Sequence, residues 1–134
     1  MDKVLRAEGL NEANREEGFL SIQRAVHILG GKWSFTVLAR LYCRPHRFNQ
    51  LRRDLGAIST KSLTDTLRHL ERNKMIQRKV FPTVPITVEY SLTEKGEAFQ
   101  AVLVEMYKWG HTWASQPDES ASEKNPPVLG SLGV

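Results

Sequence analysis

Hydroxyl, cationic and carboxylate side chains crowd one short stretch, Ser59, Thr60, Lys61, Ser62, Thr64, Asp65 and Arg68. The sequence nowhere combines a nucleophile, a base and an orienting acid into a recognisable triad, so no enzymatic activity is expected. The chemistry open to these groups is hydrogen bonding. Lysine and arginine donate to acceptors on the base edges of duplex DNA, while serine and threonine hydroxyls bond either way. Lys61, Thr64 and Arg68 recur at i, i+3 and i+7, which places them on one face of a helix. Thr60 and Ser62 stand near that helix's start, where free backbone amides attract phosphate or a base. Asp65 is the discordant member. It either accepts from a cytosine amino group or steers Lys61 and Arg68 by pairing one turn away.

Those residues sit in a cationic segment. The 134-residue chain carries a formal charge of +4. Residues 1–29 hold four basic and five acidic side chains, and residues 81–134 hold three and seven. Residues 30–80 hold twelve basic side chains against Asp54, Asp65 and Glu71. Such a segment attracts a polyanion by neutralising phosphates and releasing counterions, with nucleic acid the commonest partner. A solvated surface is the other reading of the charge. Arg52, Arg53, Arg72 and Lys74 suit the phosphate backbone, which sets register without reading sequence.

The elements that position these groups follow from periodicity. Phe19, Ile22, Ala25, Val26 and Leu29 mark a helix with one apolar stripe, stopped at Gly30 and Gly31. Trp33 to Tyr42 is apolar nearly all round and reads as a central buried helix, ended by Pro45. Phe48, Leu51 and Leu55 mark a short third helix, and Gly56-Ala57-Ile58 a tight turn. Ser59 is a natural N-cap for the fourth helix, whose core stripe is Leu63, Leu67 and Leu70. Lys61, Asp65, Arg68 and Arg72 face the other way, flanked by Thr64. From Ile76 the period falls to two, giving strands over Ile76–Phe81 and Val84–Leu92 joined through Pro82-Thr83-Val84-Pro85. Thr93 opens a last helix with Phe99, Val102, Leu103, Met106 and Trp113 on one face.

This order, mainly α with a small β-hairpin, is that of a winged helix-turn-helix whose second motif helix enters the major groove. Arg78 and Lys79, with Thr83 at the tip, extend along the hairpin to a neighbouring minor groove. Three domain segments are expected: a polar N-terminal arm over 1–19, which is a short helix or loose, a DNA-binding and dimerisation domain over 20–113, and a flexible tail over 114–134. The charged start lacks a secretory signal, and no apolar run approaches the ~18 residues of a membrane span. A cytoplasmic protein without a membrane partner is expected.

Gly30-Gly31-Lys32-Trp33, Arg47-Phe48-Asn49-Gln50-Leu51-Arg52, Ile58-Ser59, Pro82-Thr83-Val84-Pro85 and Val88-Glu89-Tyr90-Ser91-Leu92-Thr93-Glu94-Lys95-Gly96 together resemble the HxlR family of bacterial transcriptional regulators. The resemblance spans Leu20 to Trp113. It implies a homodimer, helix-swapped or helix-packed, joined through the first and last helices and bound to a two-fold-related operator. Ile22, Val26, Phe99, Val102, Leu103, Met106, Trp109 and Trp113 would then form the seam. Several members sense electrophiles or oxidants through a cysteine just ahead of the first helix, where this chain reads Phe19-Leu20-Ser21.

Other residues admit a plainer reading. Cys43, the one cysteine, ends the buried second helix and is expected to pack as a small apolar residue. The alternative is a thiol sensor activated by Arg40, Arg44 and Arg47. His27, His46, His69 and His111 lack metal-ligand spacing, so neither a metal nor another cofactor is expected. His69 is placed near the polar face, within reach of phosphate. The aromatic residues of the last helix suit a dimer seam, with a cleft for a small-molecule effector beside it as the other use. A protein-interaction module meeting an acidic partner is the rival function.

Overall fold

The computed structural model describes residues 15–114, and the outer parts of the expected arm and tail lie outside them. We number the elements α1 (Arg15–Ile28), α2 (Ser34–Cys43), β1 (His46–Arg47), α3 (Phe48–Leu55), α4 (Thr60–Arg72), β2 (Ile76–Phe81), β3 (Thr87–Leu92), α5 (Glu94–Ala98) and α6 (Gln100–Trp113). The fold is mostly helical with a small antiparallel sheet of order β1-β3-β2.

The core forms where the helical stripes converge. Val37, Leu38 and Leu41 of α2 meet Leu51 and Leu55 of α3, Leu63, Leu67 and Leu70 of α4, and Ile58, Met75 and Ile76. Burying such side chains contributes about 1.5–3 kcal/mol each, and this cluster holds the three-helix unit together. Pro45 ends α2 as expected, with Arg44 already extended. Gly56 sits at φ +59° between α3 and α4, a left-handed turn that a side chain would strain.

Several elements differ from expectation. Helix α1 takes in residues 15–19 of the expected arm and contains Phe19-Leu20-Ser21 rather than following them. Its stripe is only partly covered: Phe19, Ile22, Ala25 and Leu29 are half-buried and Val26 is 63% exposed, while Ile28 beside them is buried. A third strand, β1, pairs His46 with Tyr90 and Arg47 with Glu89. Two residues are too few for a period to show. Strand β3 starts at Thr87, leaving Val84 and Ile86 exposed at the tip, where prolines deny the ladder its donors. The last helix is broken at Phe99, which caps α5 and starts α6. Thr93 does cap α5, its hydroxyl accepting from the Gly96 amide at 3.1 Å.

Candidate nucleic-acid interface

Helix α4 begins where sequence placed it. The Ser59 hydroxyl oxygen accepts from the Ser62 amide at 3.0 Å, satisfying one of the orphan donors of the first turn. Ser59 Oγ also donates to Ser62 Oγ at 3.0 Å, so this pair serves the cap first. Leu63, Leu67 and Leu70 are buried, which turns Lys61, Asp65, Arg68 and Arg72 outward. Thr60 is exposed and Thr64 half-buried, its hydroxyl donating to the Thr60 carbonyl at 2.8 Å. The pairing proposed for Asp65 is absent. The carboxylate makes no ion pair with Lys61 or Arg68, so both cations face solvent unneutralised.

Helix α3 braces this arrangement. Arg47 donates its amide to the Gln50 side chain at 2.9 Å, fixing the start of α3. The buried His46 ring contacts the Arg44 carbonyl at 2.8 Å and the Asp54 carboxylate at 3.2 Å, tying β1 to the end of α3. Arg52 and Arg53 are exposed on α3. Sequence reasoning missed His46. An isolated histidine reveals its partner only when the strand ahead of α3 folds back against it.

Past α4, Arg72 and Lys74 are exposed and the chain reverses into the hairpin. Arg78 and Lys79 are neighbours on β2, so their side chains point to opposite faces of the sheet. Arg78 lines a cleft with Arg68, while the Lys79 ammonium lies 5.2 Å from the Phe81 ring centre. At the tip the Thr83 hydroxyl bonds to the Pro85 carbonyl at 2.8 Å and to Thr87 Oγ1 at 2.9 Å, serving the turn itself.

Two expectations are overturned nearby. His69 does not reach toward phosphate. Its Nε2 meets the Ile28 carbonyl at 3.2 Å, and its ring packs edge-on against His27, so it anchors α4 to α1. Cys43 is exposed rather than packed in the core, because α2 turns its last residue outward where Pro45 diverts the chain.

The expected seam residues divide. Leu103 is buried and Phe99 packs on the core, so both serve the subunit's own interior, and Ile22 is half-buried. Val26, Val102, Met106, Trp109 and Trp113 are exposed, with Trp109 at 70%. Beside α1 lies a cavity of about 640 Å³ lined by Leu20, Ala25, Ile28, Met75 and Phe99 among others. Another of about 390 Å³ separates Phe35 from Leu103, Met106 and Tyr107. Among the described residues no cluster of histidine, cysteine, aspartate or glutamate could hold a metal, and no helix is long and apolar enough to cross a membrane.

Residues 28–118 match the HxlR-like helix-turn-helix family. The chain belongs to the HxlR-like family. It is 40% identical to an uncharacterised HTH-type transcriptional regulator of Synechocystis over 87% of this chain and 90% of that one. It is 35% identical to the HTH-type transcriptional regulator YodB of Bacillus subtilis over 77% and 92%. Among solved structures, reduced YodB superposes with a TM-score of 0.68 at 36% identity, covering 73% of this chain and 96% of the other. The redox regulator HypR in its oxidised form superposes at 0.64 and 34%, covering 73% and 98%. This HxlR-like chain is thus a transcriptional regulator with a DNA-binding helix-turn-helix fold, and the relatives it matches are regulators rather than enzymes. In this HxlR-like sequence the one cysteine is Cys43, on α2, and none stands in or ahead of α1.

Proposed function

We propose that the chain is a homodimeric, sequence-specific regulator that binds a two-fold-related operator. The observation that carries the reading is the division of α4. One side is sealed by Leu63, Leu67 and Leu70, and the other presents Lys61, Asp65, Arg68 and Arg72 to solvent. A major groove ~12 Å wide accepts one such helix. Arg68, Lys61 and Thr64 contact base edges, and Thr60 and Ser62 approach from the helix start. Arg52, Arg53, Arg72 and Lys74 hold the phosphate backbone, with Lys79 and the wing tip at Thr83 toward an adjacent groove.

Dimerisation supplies the second half-site. Val26 on α1 and Val102, Met106, Trp109 and Trp113 on α6 form apolar surface that this subunit leaves open. A second copy covers it, placing two α4 helices about one duplex turn, ~10 base pairs, or a multiple apart. The protein acts on chromosomal DNA in the cytoplasm.

Titration against genomic fragments at several salt concentrations tests this. Specific binding with a steep log–log salt slope is expected. A slope near zero supports an acidic protein partner instead. Binding without a preference of about a thousandfold over random duplex removes the operator. Operator affinity before and after a thiol-modifying agent, in the parent and in Cys43→Ser, tests whether the exposed Cys43 thiol acts as a sensor.

A further inference from the structure

Behind the outward face of α4 lies a cleft of about 290 Å³, formed where the helix meets the base of the wing. Its walls are Phe48 of α3, Thr64, Leu67, Arg68 and Glu71 of α4, and Arg78 and Tyr90 of the sheet. Arg78 and Tyr90 are register partners across β2 and β3, which sets them side by side. Thus the fold brings together two arginines ten residues apart in sequence, two aromatic rings and a buried leucine floor.

Neither guanidinium makes a hydrogen bond or an ion pair among the described residues, and Glu71 pairs with neither although it lies one turn from Arg68. Two cations set against one carboxylate leave the cleft with a single positive charge to neutralise. Guanidinium forks match the planar geometry of a carboxylate and hold it bidentately. Phe48 and Tyr90 offer the apolar walls that a flat ring would cover. The volume sits at the lower edge of small-ligand sites, ~300 Å³, which restricts the occupant to about one ring.

We infer that this cleft binds a small aromatic monocarboxylate, and that the bound carboxylate and DNA compete for Arg68. The binding stands on the cleft alone; the competition rests on the base-reading role proposed for α4. A ligand held by Arg68 withdraws that side chain from the groove, so the cleft couples a metabolite's concentration to operator release.

The test uses the full chain and reads binding without DNA. Amide resonances are followed while benzoate is added, with phenol and dimethyl phosphate as controls for the ring without the charge and the charge without the ring. Benzoate should shift resonances of Phe48, Leu67, Arg78 and Tyr90 saturably and bind at least about tenfold more tightly than either control. Arg68→Gln and Arg78→Gln, both surface changes whose folding the same spectra report, should each weaken benzoate about tenfold. Equal binding of dimethyl phosphate, unchanged binding in both variants, or shifts that map elsewhere overturn the site. Displacement of labelled operator by benzoate is then measured. Release is expected, and persistence of operator binding at saturating benzoate overturns the competition. If the chain binds no operator, the proposed function fails while the carboxylate titration still stands or falls by itself.

Discussion

The Tyr42 hydroxyl donates to the Gly96 carbonyl at 2.6 Å, joining α2 to α5 across 54 residues of sequence. Gly96 is buried there, and the close approach requires glycine because a Cβ would collide with the Met75 carbonyl oxygen. Burial first, and the Glu97 carboxylate second, push the Tyr42 phenol from its ordinary value of 10 up to about 12. Above pH 10 the unfolded chain gives up this proton while the native state keeps it. The stabilisation is therefore complete below pH 10 and is lost as pH rises toward 12. In Tyr42→Phe, urea titrations should show about 1 kcal/mol less stability at pH 7 and a shallower decline between pH 10 and 12.

Lys74 adopts φ +58° where α4 ends. The Met75 amide donates to the Leu70 carbonyl and the Lys74 amide to the Glu71 carbonyl, both at 2.9 Å, a Schellman arrangement that favours glycine at the left-handed position. Lys74→Gly should raise thermal stability by about 1 kcal/mol. It should also lower the operator salt slope by about one unit, since a phosphate contact goes with the side chain. A variant that gains stability with an unchanged slope removes Lys74 from the DNA contacts.

Arg68 and Lys79 separate reading from gripping. Arg68→Ala should cost about 1–3 kcal/mol on the operator and relax preference at one base position. Lys79→Ala should weaken operator and random duplex alike and reduce the salt slope by about one. Fluorescence anisotropy on both DNAs distinguishes the two, and matching losses in both variants defeat the division of roles.

Trp109 and Trp113 remain 70% and 54% exposed in a single subunit. Light scattering after gel filtration should give the mass of two chains for the parent and of one for Trp109→Glu with Trp113→Glu, since charge is depleted from dimer cores. A double variant that retains the parent mass places the seam elsewhere.

Much of the framework was legible because it follows from local rules. The α4 cap at Ser59, its leucine stripe and the stop at Pro45 each depend on residues within one or two turns. Other features depended on partners far away in sequence. His69 lies on the flank of α4, where position alone suggests phosphate, yet the Ile28 carbonyl, 41 residues distant, meets its ring. The α1 stripe reads as core from its spacing, but amphipathicity says only that a face seeks burial, and in this subunit Val26 stays 63% exposed.

By itself, the order of residues determined the caps at Ser59 and Thr93, which side of α4 is dry and which is cationic, because capping and periodicity act over a few residues. Tertiary packing alone decided that Arg78 and Arg68 line one cleft, that His46 pairs with Asp54, and that Cys43 emerges at the surface. These outcomes depend on how separate elements approach one another, and strand register with core packing sets that approach.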